Sequence, residues 1–310
     1  MELGNLKELG EYWGYPRKQK RYEITVQQSN ASSPREALLE RLKDYDQEEA
    51  IAHRSQLPPR ERHLFLHDLR SLDLPRIDRI IRCSLTSQGL PAAATEPVAH
   101  CNVSTVEERT PEDREKWWKA GLRAISEGKM AILLLAGDIG LPSGRSLFQI
   151  QAERIFHVQK LTSQTVNEGS AGCPPIHWYI MTSPFIDETT RKYFEANKYF
   201  GLEASQATFF QQGTIPCVSK DGRFIMETPF KVAKAPDGNG GVFSALSCKK
   251  LLEDMAARGV KYIDCYGVDN APVRVADPTF LGYFMEKGVF SVAKVVRKAY
   301  PKEKVGVFVR

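Results

Sequence analysis

The hydrophobic pattern changes character once along the chain. Up to about residue 128 the apolar positions recur at helical spacing; beyond it they gather into short continuous runs separated by helical segments. Ser33-Pro34 reads as an N-cap followed by a first-turn proline, and Leu38, Leu39 and Leu42 form the stripe of the helix it opens. Further helices are predicted over Pro59–Leu69 and Leu74–Ile81. Glu112–Glu127 is another, with Trp117, Trp118, Leu122 and Ile125 on its buried side and Gly128 ending it. Residues 1–33 carry no periodic pattern, close on the polar stretch Gln27–Ser33, and read as a loosely ordered extension.

Beyond residue 130 the run Ala131–Leu135 reads as a strand buried on both faces. A break of small residues follows at Ala136 and Gly137, then Gly140-Leu-Pro-Ser-Gly144, then a helical pattern from Ser146 with Leu147, Ile150, Gln151 and Ile155. Strands are predicted at Trp178–Met181, Ala207–Phe210, Tyr262–Val268, Val292–Arg297 and Val305–Arg310, with helices over Glu188–Asn197, Ala245–Arg258 and Thr279–Lys287. Strands alternating with helices imply an α/β fold with a mainly parallel, Rossmann-like, doubly wound sheet. The expected organisation is an extension over 1–33, a helical N-terminal region over 34–128 and a nucleotide-binding α/β domain over 129–310. The chain stops inside its last apolar strand, so the sheet is expected to be incomplete there and its apolar edge prone to self-association.

Composition narrows the function classes. At 310 residues, 42% apolar and 26% charged, the chain has the balance of a globular protein with a full core. A net charge of +5, mostly dispersed, argues for neither nucleic acid nor membrane as partner. The local cluster Arg17, Lys18, Lys20 and Arg21 reads as a solvated tail. Six cysteines without a C-x-x-C pair read as reduced thiols, and with no signal peptide the sequons at Asn30 and Asn102 carry no meaning. No apolar run approaches the length of a membrane span, and the cytoplasm is the expected compartment. His63 and His67 share a helical face but lack a third ligand at a fitting spacing, so they read as a surface pair.

Ligands of parallel sheets lie beyond the carboxyl ends of the strands, so the informative turns follow Leu135, Met181, Phe210 and Val268. The first, strand then glycine-rich turn then helix, either cradles a phosphate or is an ordinary connection. Lys234-Ala-Pro-Asp-Gly-Asn-Gly-Gly241 is either a close-approach loop, with Asn239 suited to a base edge or sugar hydroxyl, or a set of hairpin signals. Asp269, at the exit of a buried strand, suits either Mg²⁺ beside a nucleotide phosphate or an Asx turn. Gln212 and Gly213 end their strand where an amide can read a pyrimidine ring.

Together these motifs resemble a known family. The runs LFQIQAERI, WYIMTSPF, KYFGL, FFQQG, KAPDGNGG, YGVDN, VRVADPTFLGYF and AKVVRK are similar to eukaryotic UDP-N-acetylglucosamine pyrophosphorylases, the plant form above all. The helical lead-in agrees through LLERLKDY, LPRIDRIIRCSL and STVEERTPEDREKWW, so the resemblance covers residues 34–310 almost continuously. It implies a nucleotide-diphospho-sugar transferase fold. The implied reaction joins UTP and N-acetylglucosamine 1-phosphate into UDP-N-acetylglucosamine and pyrophosphate, with Mg²⁺ or Mn²⁺. By the same resemblance the backbone at Leu135, Ala136 and Gly137 holds the nucleotide. Gln212 and Gly238 contact uridine, Asn239 the sugar nucleotide, Asp269 the nucleotide and metal, and Gly306 approaches the sugar from the last strand.

Two departures weigh against full activity. The family follows L-A-G with a glycine-rich loop, G-Q-G-T-R-L-G, and a P-K-G segment whose cations hold the triphosphate; here Gly137 runs straight into Asp138-Ile-Gly-Leu-Pro. The chain also ends at Arg310, before further sugar- and phosphate-binding residues of the family. The expectation is a family member impaired in catalysis, the catalytic cations being absent after Gly137 and Arg145 reading as a solvated helix residue. The alternatives are a non-catalytic remnant that binds uridine nucleotides or a protein partner, and a chain unable to hold its fold.

Overall fold

The computed structural model describes residues 34–85, 96–136, 146–166 and 174–306. In chain order its helices are α1 (Pro34–Lys43), α2 (Pro59–Ser71), α3 (Leu74–Leu85), α4 (Pro111–Ser126), α5 (Leu147–Val166) and α6 (Asp187–Ala196). Then follow α7 (Gly241–Cys248), α8 (Leu251–Ala257) and α9 (Pro278–Lys287). The strands of the main sheet are β1 (Met130–Leu135), β2 (His177–Thr182), β3 (Ala207–Gln211) and β8 (Tyr262–Gly267). Four shorter ones, β4 (Thr214–Pro216), β5 (Met226–Thr228), β6 (Lys231–Val232) and β7 (Lys234–Pro236), form two separate antiparallel pairs.

The main sheet is parallel throughout, in the order β3-β2-β1-β8. β1 lies inside it, bonded to β2 on one side and β8 on the other, and helices cover both faces. Alternation along the strand sorts the side chains. Met130, Ile132 and Leu134 pack with Ala124 and Ile125 of α4, with Leu147, Ala152 and Ile155 of α5, and with Leu281 and Phe284 of α9. Ala131 and Leu133 face the opposite way, onto Val242 and Leu246 of α7 and Leu252 and Met255 of α8. This two-sided burial is why an unbroken apolar run, rather than an alternating one, forms the strand.

The chain divides into two compact units, and the dividing points differ from the change of texture at residue 129. Among the described residues one unit holds those up to Pro97 together with Thr214–Asp237; the other holds Val98–Gly213 and everything from Gly238 onward. In the first, Leu42, Leu69, Leu74 and Ile77 of α1–α3 close on Val232, with Phe224 and Met226 packed beside them. Gln47, buried, accepts from the Phe224 N–H and donates to the Gly222 carbonyl, both at 2.8 Å. Lys234 meets Asp68 at 2.6 Å.

In the second unit α4 belongs with the sheet. It crosses α9 so closely that a Cβ at Gly121 would stand 1.9 Å from the Pro278 carbonyl oxygen, and one at Gly282 would stand 1.9 Å from that of Trp117. Trp117 sits edge-on to Tyr283, ring centroids 5.1 Å apart, so the tryptophan is a packing residue of this crossing. Thr110 caps α4 by accepting the Asp113 N–H, and Pro111 fills its first turn. Lys198, Tyr199 and Phe200 hold left-handed φ of 50°, 50° and 53° before Gly201 at 90°. Such a run costs about 1–2 kcal/mol per non-glycine residue. It is held by rings: Phe194 meets Tyr199 at 6.2 Å and Phe200 at 5.2 Å.

Three expectations need correction. The helix expected over Ala245–Arg258 is two, α7 and α8, because Lys250 turns left-handed at φ 55°. Val292–Arg297 is not a strand: residues 288–306 carry neither helix nor strand. β-branched composition favours a strand only where a neighbour offers its edge, and Val296 is 91% exposed. Val305 and Gly306 are likewise irregular, so Gly306 does not lie in a last strand; residues 307–310 lie outside the described set. His63 and His67 are exposed on α2. Among the described residues no helix is long and apolar enough to cross a membrane.

The α4–α9 crossing yields a stability test. Gly282→Ala places a methyl against rigid backbone, and an overpacked core costs about 1–3 kcal/mol. The midpoint of thermal unfolding should fall by several degrees, and Gly121→Ala should do the same. A melting curve unchanged in either variant would mean that the helices stand further apart.

Candidate functional site

The carboxyl ends of β1, β2, β3 and β8 emerge on one edge, and the ladder continues a residue past β1, β3 and β8. The Ala136 N–H donates to the Met181 carbonyl at 2.9 Å, and Gln212 N–H to the Thr182 carbonyl at 2.9 Å. Val268 N–H donates to the Leu135 carbonyl at 3.0 Å. Leu135, Ala136, Gln212 and the Asp269 turn are thus tied into one edge, where strand order reverses about β1. That reversal is where doubly wound sheets bind ligands. Because its N–H is already engaged by Met181, Ala136 offers a ligand shape rather than a free donor. Gly137 lies outside the described residues, as does the turn up to residue 145.

Gln212 carries the sharpest chemical signal. Its Oε1 is buried and has no hydrogen-bond partner among the described residues. An amide acceptor left so costs about 1–3 kcal/mol, which a donor on a ligand would recover. The strand ends beneath it are fixed by a charged network. Thr182 Oγ1 donates to Asp187 Oδ1 at 2.5 Å, and Arg191 Nε meets Asp187 Oδ2 at 2.8 Å. Arg191 Nη2 also donates to the Phe209 carbonyl at 3.0 Å, with its guanidinium 4.9 Å from the centre of the Phe209 ring. Burial raises the Asp187 carboxyl, but the hydrogen bonds from Arg191, Thr182 and Gln211 outweigh it and hold the group below its usual range.

The excursion over 214–237 begins and ends at a paired rung, Thr214 opposite Pro236. That rung pairs a residue two past Gln212 with one two before Gly238. Gly238 has φ 82°, a conformation that glycine alone adopts freely, and its carbonyl accepts from the Gly241 N–H at 3.0 Å. Asn239 is exposed, and its carbonyl accepts from Val242 N–H as α7 begins.

Asp269 is exposed at the tip of the turn after β8. A Cβ on Gly267 would lie 2.6 Å from Asp269 Oδ1, so only glycine lets the carboxylate fold back over the strand end. Among the described residues no group of three or more His, Cys, Asp or Glu side chains could form a metal cage. One exposed carboxylate fits instead an ion that keeps water and shares its remaining coordination with phosphates, the habit of Mg²⁺. Gly306 sits in the irregular segment, with open space where a Cβ would stand, and nothing described joins it to this edge.

Sequence reading named the residues just beyond the strand ends and missed those that brace them: Thr182, Asp187, Arg191, Arg154 and Asp264. Asp187 and Arg191 had one available signal, an acidic and a basic residue four apart in the first turns of α6.

A four-stranded parallel sheet covered by helices on both faces, its order reversing about β1, defines an α/β protein of the nucleotidyltransferase-type fold. The chain belongs to the UTP–glucose-1-phosphate uridylyltransferase family, whose model matches residues 80–310. It is 65% identical over 295 residues to UDP-N-acetylglucosamine diphosphorylase 1 of Arabidopsis thaliana, covering 90% of this chain and 58% of that protein. Diphosphorylase 2 of the same plant is also 65% identical, with 59% of its length covered. Among solved structures, the uridine diphosphate N-acetylglucosamine pyrophosphorylase of Trypanosoma brucei, in complex with an inhibitor, is similar at a TM-score of 0.72 and 30% identity. That match covers 90% of this chain and 60% of the other. The chain therefore spans a little under three-fifths of the length of its plant relatives.

The Asp187 network is testable by pH. Since its folded carboxyl lies below the unfolded value of about 3.9, it contributes stability present above that pH and lost as acid takes the group through its folded value. Asp187→Asn should cost about 1–3 kcal/mol at neutral pH. It should also flatten the acid limb of the stability curve below about pH 4. Urea unfolding across pH measures both; an unaltered acid limb would show that Asp187 does not titrate against Arg191.

Proposed function

We propose that the sheet edge binds a uridine nucleotide and serves uridylyl transfer between UTP and N-acetylglucosamine 1-phosphate, giving UDP-N-acetylglucosamine and pyrophosphate. The buried Oε1 of Gln212, without a hydrogen-bond partner among the described residues, carries this reading: it is an acceptor that a ligand N–H, such as the imide of uracil, would satisfy. Gly238 lets backbone approach the base, Asn239 offers an amide to a sugar hydroxyl, and Leu135 and Ala136 form the floor. Identity to plant diphosphorylases across 90% of the chain supports the same assignment.

In the reaction an oxygen of the sugar phosphate bonds to the α-phosphorus of UTP as the bond to the departing pyrophosphate breaks. Asp269 is the residue that would hold Mg²⁺, which supplies neutralisation of the phosphate charge when bound. The protein's share is orientation: Gln212 fixes the base, and the braced exits of β1 and β8 hold the acceptor side steady.

Transfer in this chain is slow on our reading, because Gly137 passes directly to Asp138 and no arginine or lysine follows for the triphosphate before Arg145. In related phosphoryl chemistry one such cation is worth roughly a thousandfold or more. We place the protein in the cytoplasm, a reading that the unpaired thiols of Cys83, Cys101, Cys217, Cys248 and Cys265 support.

Calorimetric titration with UDP-N-acetylglucosamine should give a binding isotherm that Gln212→Ala weakens about tenfold. Asp269→Asn should remove the gain in affinity produced by Mg²⁺ and leave metal-free binding intact. Absence of binding at millimolar ligand by the unaltered chain would overturn the proposal. Pyrophosphate release close to that of a full-length plant relative would overturn its slow-transfer part alone.

A further inference from the structure

The turn that carries Asp269 is held from outside itself, and the holding residue belongs to another element. Arg154, in the second turn of α5, donates from one nitrogen, Nη1, to two carbonyls: Ala271 at 2.8 Å and Val273 at 2.6 Å. Both acceptors lie in the segment between β8 and α9. That segment is pinned at its ends as well. Val268 N–H donates to the Leu135 carbonyl on entry, and Ala276 N–H donates to Asp264 Oδ2 at 2.9 Å on exit. Asp264 is a half-buried carboxyl that desolvation pushes up and this N–H draws back. Asp269 stands between the first pin and the middle one. Its own carbonyl accepts from the Ala271 N–H at 2.9 Å, so a shift of Ala271 is carried directly to Asp269.

We infer that Arg154 is a positioning residue for Asp269: it fixes the turn in which that carboxylate meets a metal-bound phosphate. The inference rests on the reading of Asp269 given above and deepens it. The geometry favours positioning over mere packing. Two charge-assisted bonds from a single nitrogen fix direction as well as distance. They fall two and four residues past the carboxylate, whereas a bond made only for stability could fall anywhere in the segment. α5 is also the helix that follows the turn after β1. Arg154 therefore couples the nucleotide side of the switch point to the metal side, as residues behind a metal ligand commonly do.

The test uses the full chain with Arg154→Met and Arg154→Lys. Amide hydrogen exchange is followed by mass spectrometry, and UDP is titrated calorimetrically with excess Mg²⁺ and again with EDTA. In Arg154→Met, exchange over 268–276 should accelerate while peptides over β1 and β2 keep their rates. The Mg²⁺-dependent gain in UDP affinity should fall about tenfold, and metal-free affinity should stay within about twofold. Arg154→Lys should recover part of both, since an ammonium can reach one of the two carbonyls.

A purely structural role would speed exchange across the whole sheet and lower both affinities by the same factor. That result overturns the inference, as does an unchanged Mg²⁺ effect in Arg154→Met. If instead the unaltered chain binds UDP equally with and without Mg²⁺, the assignment of Asp269 fails and takes this role of Arg154 with it. That failure is distinguishable, because it shows in the unaltered protein.

Discussion

Everything in the α/β unit depends on β1 being paired on both edges and covered on both faces. Pairing to β2 and β8 aligns three strand exits to within one rung, and double coverage leaves β1 no face on which water could loosen it. Order reverses at this strand, so the neighbours on either side diverge beyond it and leave room at the edge. The same constraint explains the brevity of the protein's local solutions. A backbone donor spent on the ladder, as at Ala136, is unavailable to a ligand, which leaves side chains at the rim as the candidates for recognition.

Those rim side chains are useful only if held still. Gln212 follows a strand end held by the Thr182–Asp187–Arg191 network, and Asp269 lies in a turn held by Arg154 and Asp264, so each candidate side chain has a charged support behind it. Charges are expensive to bury singly and effective when matched: Asp187, Arg191 and Arg154 each meet at least two partners, and Asp264 accepts the Ala276 N–H. In chain order, supports and rim residues come from different elements: α6 braces β2 and β3, and α5 braces the turn after β8.

This division explains what the sequence disclosed. A strand buried on both faces writes itself as an unbroken apolar run, as β1 does up to Leu135; Gln212 and Asp269 were candidates only by lying just past the ends of β3 and β8. Arg154 was not, because an arginine in a helix reads as solvated until its helix has been placed against a particular turn. Two- and three-residue strands such as β6 and β4 have no period to detect. The break at Lys250 lacks a glycine or proline to announce it. Val292–Arg297 failed in the opposite sense: its β-branched residues promise a strand, and no described neighbour offers an edge to complete one.

One feature of connectivity reaches past chemistry. The excursion of 214–237 departs and returns through a single rung, Thr214 with Pro236, so its two ends are only about 5 Å apart, the spacing of paired strands. A segment closed at its base in this way is a cassette. Loop-closure entropy grows only slowly with length, so a change of length inside it need not disturb the rung of Thr214 with Pro236. What limits such change is packing within its own unit, since Val232, Phe224 and Gly222 of the segment meet α1–α3 and Gln47.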